Sequence, residues 1–363
     1  MVTVLPEVVL PGKYDVRPTN DQTAVLRVWD AAGHVLTMDN DGPGALRKTG
    51  ALGVEHLDTH PLFGGPSRKV SFQAGGTGYA TIDARIPALW GASTTGPLAV
   101  GDLRSGQRWT RQGRFATVLH TALGDQLWAV EQVDENTVVV WVLDETTGEP
   151  VTSFSLDDPM GSSVPSLTNI PGRDQVALEL GGGQDGIAVL ELSLATTGIV
   201  VRDLFPHDDD FTTPAWHPND GRGLSQDYNA GLFAVVTYAD LGKKQPQGVS
   251  VESLTTDDTQ PWGDGDEVVP GFGGIPWLLD GTAIIEMGES RFWRFDPVTM
   301  RGLDEIVVEG WEPQPSPIDS TALVGAVTSW ERVGRWLVAH GKRDDDHATF
   351  VFDEQRLVEQ LRG

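Results

Sequence analysis

The stretch Gly124-Asp125-Gln126-Leu127-Trp128-Ala129-Val130 places a tight polar turn directly before an apolar run. Farther on, Val142-Leu143 ends a second apolar run, and Asp144-Glu145-Thr146-Thr147-Gly148 follows it. Asp and Gly favour tight turns, because the Asp side chain bonds to nearby backbone amides and Gly adopts positive φ without strain. Residues 124–148 are therefore predicted to form extended strands joined by short hairpins.

The turn at Gly124-Asp125 is one of seven similar turns, which recur along the whole chain at intervals of roughly 50 residues. An apolar, strand-like run follows each of them, as at residues 23–28 and 282–287. A strand-rich unit repeated at this period predicts an all-β fold, a single closed β-propeller of seven four-stranded blades over residues 1–363. Six or eight blades are the alternatives, because residues 38–68 are irregular. The seven turns centre on Asn20-Asp21, Gly75-Gly76, Gly124-Asp125, Gly172-Arg173, Asp220-Gly221, Asp280-Gly281 and Asp319-Ser320.

A second marker, an apolar strand that ends in an acidic residue before a small-residue turn, supports the repeat. It occurs at residues 100–106, 142–148 and 294–299, with weaker copies at 192–198 and 251–256. If each blade has strands A to D, the first marker joins A to B and the second joins C to D. These two kinds of turn then share one face, which we name the turn face. The B–C and D–A connections share the opposite face, which we name the loop face.

The two ends of the chain allow alternative interpretations. Residues 1–11 are predicted to be a linker or a strand that closes the last blade, and residues 348–352 are the other candidate for that outer strand. Apolar residues at 357, 358 and 361 have helical spacing, so residues 354–363 are predicted to be a short helix or a tail.

Two turns and one longer segment carry a resemblance to known propellers. Asp144-Glu145-Thr146-Thr147-Gly148 and Asp102-Leu103-Arg104-Ser105-Gly106 resemble the D-x-x-[ST]-G turn of PQQ-like and YVTN-like repeats. Pro214-Ala215-Trp216-His217-Pro218-Asn219-Asp220-Gly221 is similar to the P-x-W-S-P-D-G signature of TolB-like, WD40-like propellers. These motifs occur in enzymes, receptors and scaffolds, so the resemblance implies a fold and no particular activity. PQQ binding is not expected from this resemblance. Quinoprotein repeats carry a docking Trp after the glycine of the turn, and in this chain only Trp109 lies near that position, one residue too early.

Composition excludes several classes of function. There are no cysteines, so disulfides, thiolate catalysis and Cys-ligated metals are excluded. The formal net charge of −26 argues against a nucleic-acid partner and against attraction to anionic lipid. No apolar run is long enough for a membrane helix, so direct membrane insertion is not expected.

The start of the chain lacks the basic region of a signal peptide and is punctuated by Pro6 and Pro11. Two interpretations follow: an extracytoplasmic, envelope-associated domain whose signal or anchor lies outside this sequence, which we favour, or a cytoplasmic protein. The excess of Arg over Lys favours a bacterial source. A monomer is expected.

Long segments on the predicted loop face are rich in carboxylates, and this face is the candidate binding surface. Acidic loops recruit cationic protein surfaces, whereas converging carboxylates also suit Ca²⁺. Trp216 and Trp277, near the predicted channel mouth, are candidates for aromatic ligand contact, with core packing as the simpler interpretation. The candidate binding residues are Asp208, Asp209, Asp210, Asp264, Asp266, Glu267, Trp216 and Trp277. Further acids assigned to this face are Asp134, Asp157, Asp185, Asp240, Glu289 and Glu312.

No catalytic motif is recognised. Gly161-Ser162-Ser163 and Gly288-Glu289-Ser290 do not complete a nucleophile elbow, and His56 and His60 lack the motif of a zinc protease. The favoured hypothesis is a non-enzymatic module without a cofactor that binds a protein, peptide or glycan on its acidic loop face. The alternatives are a metal-dependent propeller hydrolase or lyase with a central cation, Ca²⁺ being the candidate, and a cytoplasmic interaction scaffold.

Overall fold

The structure is a computed structural model, and its strands account for most of the residues that it describes. These residues form 27 strands and one helix. The chain divides into two compact units. Unit 1 comprises Met1–Ala51, Gly231–Val235 and Gln247–Gly363, and unit 2 comprises Leu52–Ala230 and Val236–Pro246. The structure describes residues 1–11, 14–18, 23–28, 35–40, 46–50, 68–73, 78–83, 95–102, 105–123, 126–134, 136–157, 165–181, 186–206, 210–227, 232–244, 246–250, 275–286, 291–311, 326–333, 336–343 and 346–363.

A seven-stranded antiparallel sheet dominates unit 2, in the order β13-β12-β11-β10-β9-β8-β7. The long strand β10 joins its two parts: Gly106 to Arg111 pair with β9, whereas Thr117 to His120 pair with β11. The register shifts between Arg111 and Phe115, where the strand passes from one partner to the other. The strands are β7 (Arg68–Phe72), β8 (Gly78–Asp83), β9 (Gly96–Asp102), β10 (Gly106–His120), β11 (Leu127–Gln132), β12 (Thr137–Leu143) and β13 (Pro150–Asp157).

Unit 2 also holds a four-stranded sheet in the order β14-β15-β16-β17. Its inner strands bury apolar side chains against the seven-stranded sheet, in a core that includes Trp128, Val140, Leu167 and Leu178. The strands are β14 (Ser166–Asn169), β15 (Val176–Gly181), β16 (Ile187–Ala195) and β17 (Gly198–Asp203). A further four-stranded sheet, β18-β19-β20-β21, has strands in both units: β18 (Ala215–Trp216), β19 (Arg222–Asp227), β20 (Leu232–Thr237) and β21 (Val249–Ser250).

Unit 1 holds three four-stranded sheets, and the first strands of the chain complete two of them. β1 pairs in parallel with β24, and β2 pairs antiparallel with β27. The sheet orders are β3-β4-β5-β6, β1-β24-β23-β22 and β2-β27-β26-β25. The strands are β1 (Val2–Val4), β2 (Val8–Pro11), β3 (Tyr14–Pro18), β4 (Thr23–Val28), β5 (Val35–Asn40), β6 (Leu46–Gly50), β22 (Ala283–Glu286), β23 (Phe292–Asp296), β24 (Arg301–Val308), β25 (Ala326–Val333), β26 (Trp336–Arg343) and β27 (Asp346–Asp353).

The helix α1 (Glu354–Arg362) follows β27 directly and fastens the first strands to the last sheet. Asp353 caps its N-terminus by accepting hydrogen bonds from the amides of Gln355 and Arg356. Its apolar side packs into the core of unit 1 through Leu357, Val358 and Leu361. The Gln360 side chain exchanges hydrogen bonds with the Leu5 backbone at 2.6 and 3.1 Å, and Arg356 pairs with Glu7 at 2.9 Å.

The predicted count of seven separate four-stranded blades is wrong. The described residues form five four-stranded sheets and one seven-stranded sheet, and they do not show a closed seven-bladed arrangement. The physical reason lies at Gln112-Gly113-Arg114. The repeat pattern predicts a connection between two blades here, but β10 continues through these residues as one extended strand and joins the two groups of strands into a single sheet. The turns assigned to Asn20-Asp21, Gly75-Gly76, Gly124-Asp125 and Asp319-Ser320 lie outside the described residues.

Asp280 is the centre of a buried ion-pair cluster beside α1. Its carboxylate binds Arg294 at 2.9 Å and the Thr282 hydroxyl at 2.6 Å, and Arg362 of α1 lies 3.5 Å away. Burial alone works to raise the pKa of Asp280, but the hydrogen bonds from Thr282 and the charges of Arg294 and Arg362 outweigh it. The pKa of this carboxyl is therefore below its ordinary value.

Removal of residues 1–11 is expected to reduce the free energy of unfolding by at least about 3 kcal/mol, because it removes the outer strand of two sheets and the fully buried Val4. Urea unfolding followed by circular dichroism measures this loss. Val9, which is 54% exposed in β2, provides a matched control: Val9→Thr should change stability by less than about 0.5 kcal/mol. An unchanged unfolding midpoint after the deletion would contradict the pairings of β1 and β2.

Asp280→Asn is expected to destabilise the protein by about 3 kcal/mol at neutral pH, because it leaves the guanidinium of Arg294 without its anion. A carboxyl whose pKa is lowered on folding stabilises the native state above its unfolded pKa of about 3.9. That contribution is lost as pH falls through the folded pKa, so the difference from wild type should narrow near about pH 3. The free energies of unfolding of wild type and variant, measured at neutral pH and near about pH 3, test this prediction. Glu309→Gln, at an exposed position, is the control. A gap of equal size at both pH values would refute it.

Candidate interaction surface

Short Asp-capped turns place the turn-face residues of unit 2. Asp144 accepts hydrogen bonds from the amides of Thr146 and Thr147 at 2.9 and 2.7 Å, and bonds to the backbone and hydroxyl of Thr147 lower its pKa. Gly148 closes this turn with a φ of +76°, and a Cβ at this position would lie 2.8 Å from the ring of Trp109. The β12–β13 turn therefore has the conformation that its Asp-to-Gly sequence predicts.

The opposite end of the seven-stranded sheet carries two of the predicted loop-face acids. Asp134 lies between β11 and β12, and Asp157 ends β13 opposite Thr137. The Asn136 amide donates to the Asp134 carboxylate at 2.8 Å, which fixes the connection. Both carboxylates are exposed, and neither forms an ion pair with any Lys or Arg that the structure describes. The two acids therefore extend one exposed, negatively charged edge.

Asp210 lies at the corresponding end of β19. The residue after it, Phe211, pairs with Asp227, and the Thr212 amide donates to the Gln226 carbonyl at 2.9 Å. The polar run Ser225-Gln226-Asp227 is buried, with exposures of 1, 4 and 3%. Nearby, the Thr213 amide donates to the Glu179 carboxylate at 2.6 Å. Asp210, which is half-buried, therefore borders a polar interior that contains two more acids.

Glu179 and Asp227 are not among the residues that the sequence pattern predicted. A detectable signal was present, because three consecutive polar residues, Ser225-Gln226-Asp227, stand in a segment predicted to be a strand. Polar residues at this position predict a hydrogen-bonded strand end, since buried polar groups require partners.

The other predicted acids divide between two outcomes. Asp185, Asp208, Asp209, Asp264, Asp266, Glu267, Glu289 and Glu312 lie outside the described residues and stay predictions. Asp240 was assigned to the loop face, but it lies between β20 and β21, where it binds Lys244 at 3.0 Å and the Thr237 hydroxyl at 2.9 Å. These contacts, led by the hydrogen bond to Lys244, lower its pKa. The assignment of Asp240 was therefore wrong, because the strands of this sheet begin earlier than the weak hairpin marker at 251–256 indicates.

Trp216 lies at the turn face, at the opposite end of its segment from Asp210. It immediately precedes the turn at His217 to Gly221, and its ring lies 6.1 Å from that of Tyr238. The guanidinium of Arg173 stacks over Tyr238 at 3.5 Å. The Tyr238 hydroxyl donates to Glu191, which also accepts a hydrogen bond from Arg202 at 2.8 Å. Trp216 is therefore part of a packed cluster between neighbouring sheets and does not share a surface with Asp210.

Trp277 lies in unit 1 and is 1% exposed. It pairs with Ala283 before the turn at Asp280-Gly281, in the same position that Trp216 has before Asp220-Gly221. Its carbonyl accepts a hydrogen bond from Arg332, which also pairs with Glu354 at the start of α1. Burial of this ring agrees with the simpler interpretation of core packing.

The described part of the chain contains no group of three or more His, Asp or Glu side chains arranged to hold a metal ion. None of its helices is long and apolar enough to cross a membrane.

The comparisons with known proteins define the class of fold. The chain has a β-propeller fold, as the repeated turns predicted. It is similar to the crystal structure of the WD40 β-propeller domain of Doa1, with a TM-score of 0.50 and 12% sequence identity. The match covers 97% of this chain and 98% of that domain. No protein-family profile matches the chain, and no curated protein matches it.

Tyr238→Phe is expected to destabilise the protein by about 1–2 kcal/mol, because it leaves the partly buried Glu191 without one hydrogen bond. Burial, followed by the hydrogen bond and charge of Glu191, raises the pKa of Tyr238 above its ordinary value. Tyr238 should therefore still be protonated when an exposed tyrosine ionises. A pH titration of the tyrosinate absorbance of wild type and variant tests this prediction. If the variant lacks the tyrosine that ionises at the lowest pH, the raised pKa of Tyr238 is contradicted.

Proposed function

We propose that this protein is a non-enzymatic binding module that recognises a cationic protein surface through the acidic residues of its loop face. The observation that carries the proposal is the exposed pair Asp134 and Asp157, which have no ion-pair partner among the described residues. Carboxylates that are already neutralised by a neighbouring guanidinium attract a partner weakly. Unpaired ones at one edge of a rigid sheet keep their full charge for a partner.

The net charge of the chain also favours a cationic partner. At −26, the protein attracts a basic partner over a distance of about one Debye length, roughly 8 Å at physiological salt. Charge of one sign raises the rate of encounter more than it raises the final affinity. A partner rich in Lys or Arg is therefore the class that this surface best suits, and a protein partner also agrees with the scaffold roles that propeller folds support.

Asp134 and four acids that the sequence assigns to the same face, Asp185, Asp208, Asp209 and Asp210, provide the first test. Reversal of all five to Lys is expected to abolish capture of a partner from native-host lysate and envelope fractions in an affinity pull-down. A partner captured by wild type and lost by the variant supports recognition at the loop face. Equal capture by both proteins would contradict it.

A second variant controls for the change in total charge. It reverses five exposed acids away from the loop-face segments, and it should capture the same partner as wild type. The control positions are Glu149, Asp174, Asp240, Asp346 and Glu359. If this control variant also loses the partner, the interaction depends on net charge alone, and the proposed surface is wrong.

A further inference from the structure

The outer strand of the seven-stranded sheet has an unusual edge. β13 pairs with β12 along its length, from Thr137 opposite Asp157 to Leu143 opposite Pro150. It is the last strand on its side of the sheet, and no strand in the described residues pairs with its far edge. In an antiparallel strand about half of the N–H and C=O groups point away from the partner strand. No described strand bonds to these outward-pointing donors and acceptors of β13.

The sequence of this edge carries no charge over its central part. Residues 151–156 read Val-Thr-Ser-Phe-Ser-Leu, in a chain of which 21% is charged. Proteins usually protect an exposed edge with charges, with Pro, or with a covering strand. The outer strand β17 follows that rule, because it carries Arg202. The edge of β13 lacks this protection.

The strand is also held firmly in place. Thr152, Phe154 and Leu156 are half-buried, and Leu156 packs on the core between this sheet and the next. The alternate residues Val151, Ser153 and Ser155 are exposed, Val151 by 60%. An edge that is already extended and anchored loses little conformational entropy when another strand adds to it.

Charges flank this uncharged segment at both ends. Glu149 precedes it and Asp157 ends it, and both are exposed. If two copies of the chain paired these edges antiparallel, with Pro150 opposite Asp157, Glu149 of each copy would lie beside Asp157 of the other. Like charges at such positions destabilise strand pairing, and two chains of −26 repel each other further. The flanking charges therefore favour a partner of opposite charge over a second copy.

We propose that β13 is a docking edge for an extended peptide segment of a partner protein. The segment is uncharged in its centre, has Lys or Arg at both ends, and adds to the sheet as an eighth strand next to β13. Backbone hydrogen bonds supply the affinity, and Glu149 and Asp157 select the flanking cations. The edge shares Asp157 with the loop face, but none of the five acids reversed above belongs to β13, so the pull-down and the peptide assay test the two proposals separately.

A synthetic probe tests the edge with the full chain. The probe is a fluorescent peptide, Lys-Lys-Val-Thr-Val-Ser-Val-Lys-Lys, and its binding is measured by anisotropy. A matched peptide has the same side chains but methyl groups on alternate backbone nitrogens, which removes strand pairing and keeps the charge. The unmodified peptide is expected to bind at least about tenfold more tightly than the methylated one. Amide hydrogen exchange in residues 151–156 should also slow when the unmodified peptide binds.

Variants of the protein separate selection by the flanking charges from general attraction. Glu149→Lys with Asp157→Lys should weaken binding of the peptide at least about tenfold. Asp174→Lys with Glu309→Lys makes the same change in net charge away from the edge and should keep the affinity within about twofold. Equal binding of the methylated peptide, or an equal loss in the control variant, would overturn the proposal. A dimer in sedimentation that Ser153→Lys dissociates would also overturn it, by assigning the edge to a second copy.

Discussion

The capped hairpin turn is the constraint on which the rest of this structure depends. One carboxylate accepts hydrogen bonds from amides two or three residues farther on, as Asp144 does from Thr146 and Thr147. Asp220, Asp280 and Asp296 repeat the arrangement at 2.9–3.1 Å. Because these turns are short, they fix which strand ends meet at the turn face, and the connections between successive hairpins then lie at the other end. The division between a structural face and a candidate recognition face follows from this local chemistry.

Two of these Asp side chains also form ion pairs. Asp280 joins its turn to Arg294 and to Arg362 of α1, so it couples a hairpin to the segment that holds the N-terminal strands. Asp220 binds Arg222 at 2.7 Å and lies 3.1 Å from His217. Asp220 and Asp280 of the turn face are therefore paired with cations. Asp134 and Asp157 at the loop face pair with no Lys or Arg that the structure describes, and this local difference supports recognition there.

The sequence predicted the repeated hairpins because their signals are local. Asp and Gly at 144–148 and at 280–281 determine the turn through contacts within a few residues, and helical spacing at 357–361 coincides with α1. The features that the sequence did not predict depend on distant partners. Gln112-Gly113-Arg114 reads as an ordinary connection, yet β10 stays extended because β9 and β11 both pair with it. The position of Trp216 beside Tyr238 likewise depends on a contact across 22 residues, which spacing alone does not reveal.

The association rate of a captured partner, measured over a range of salt concentrations, tests the central claim most directly. Unpaired carboxylates on the loop face should steer a cationic partner, so the rate constant for association should fall at least about tenfold between low and high salt. The dissociation rate should change much less, because steering acts before contact is made. An association rate independent of salt would contradict recognition through exposed, unpaired acids.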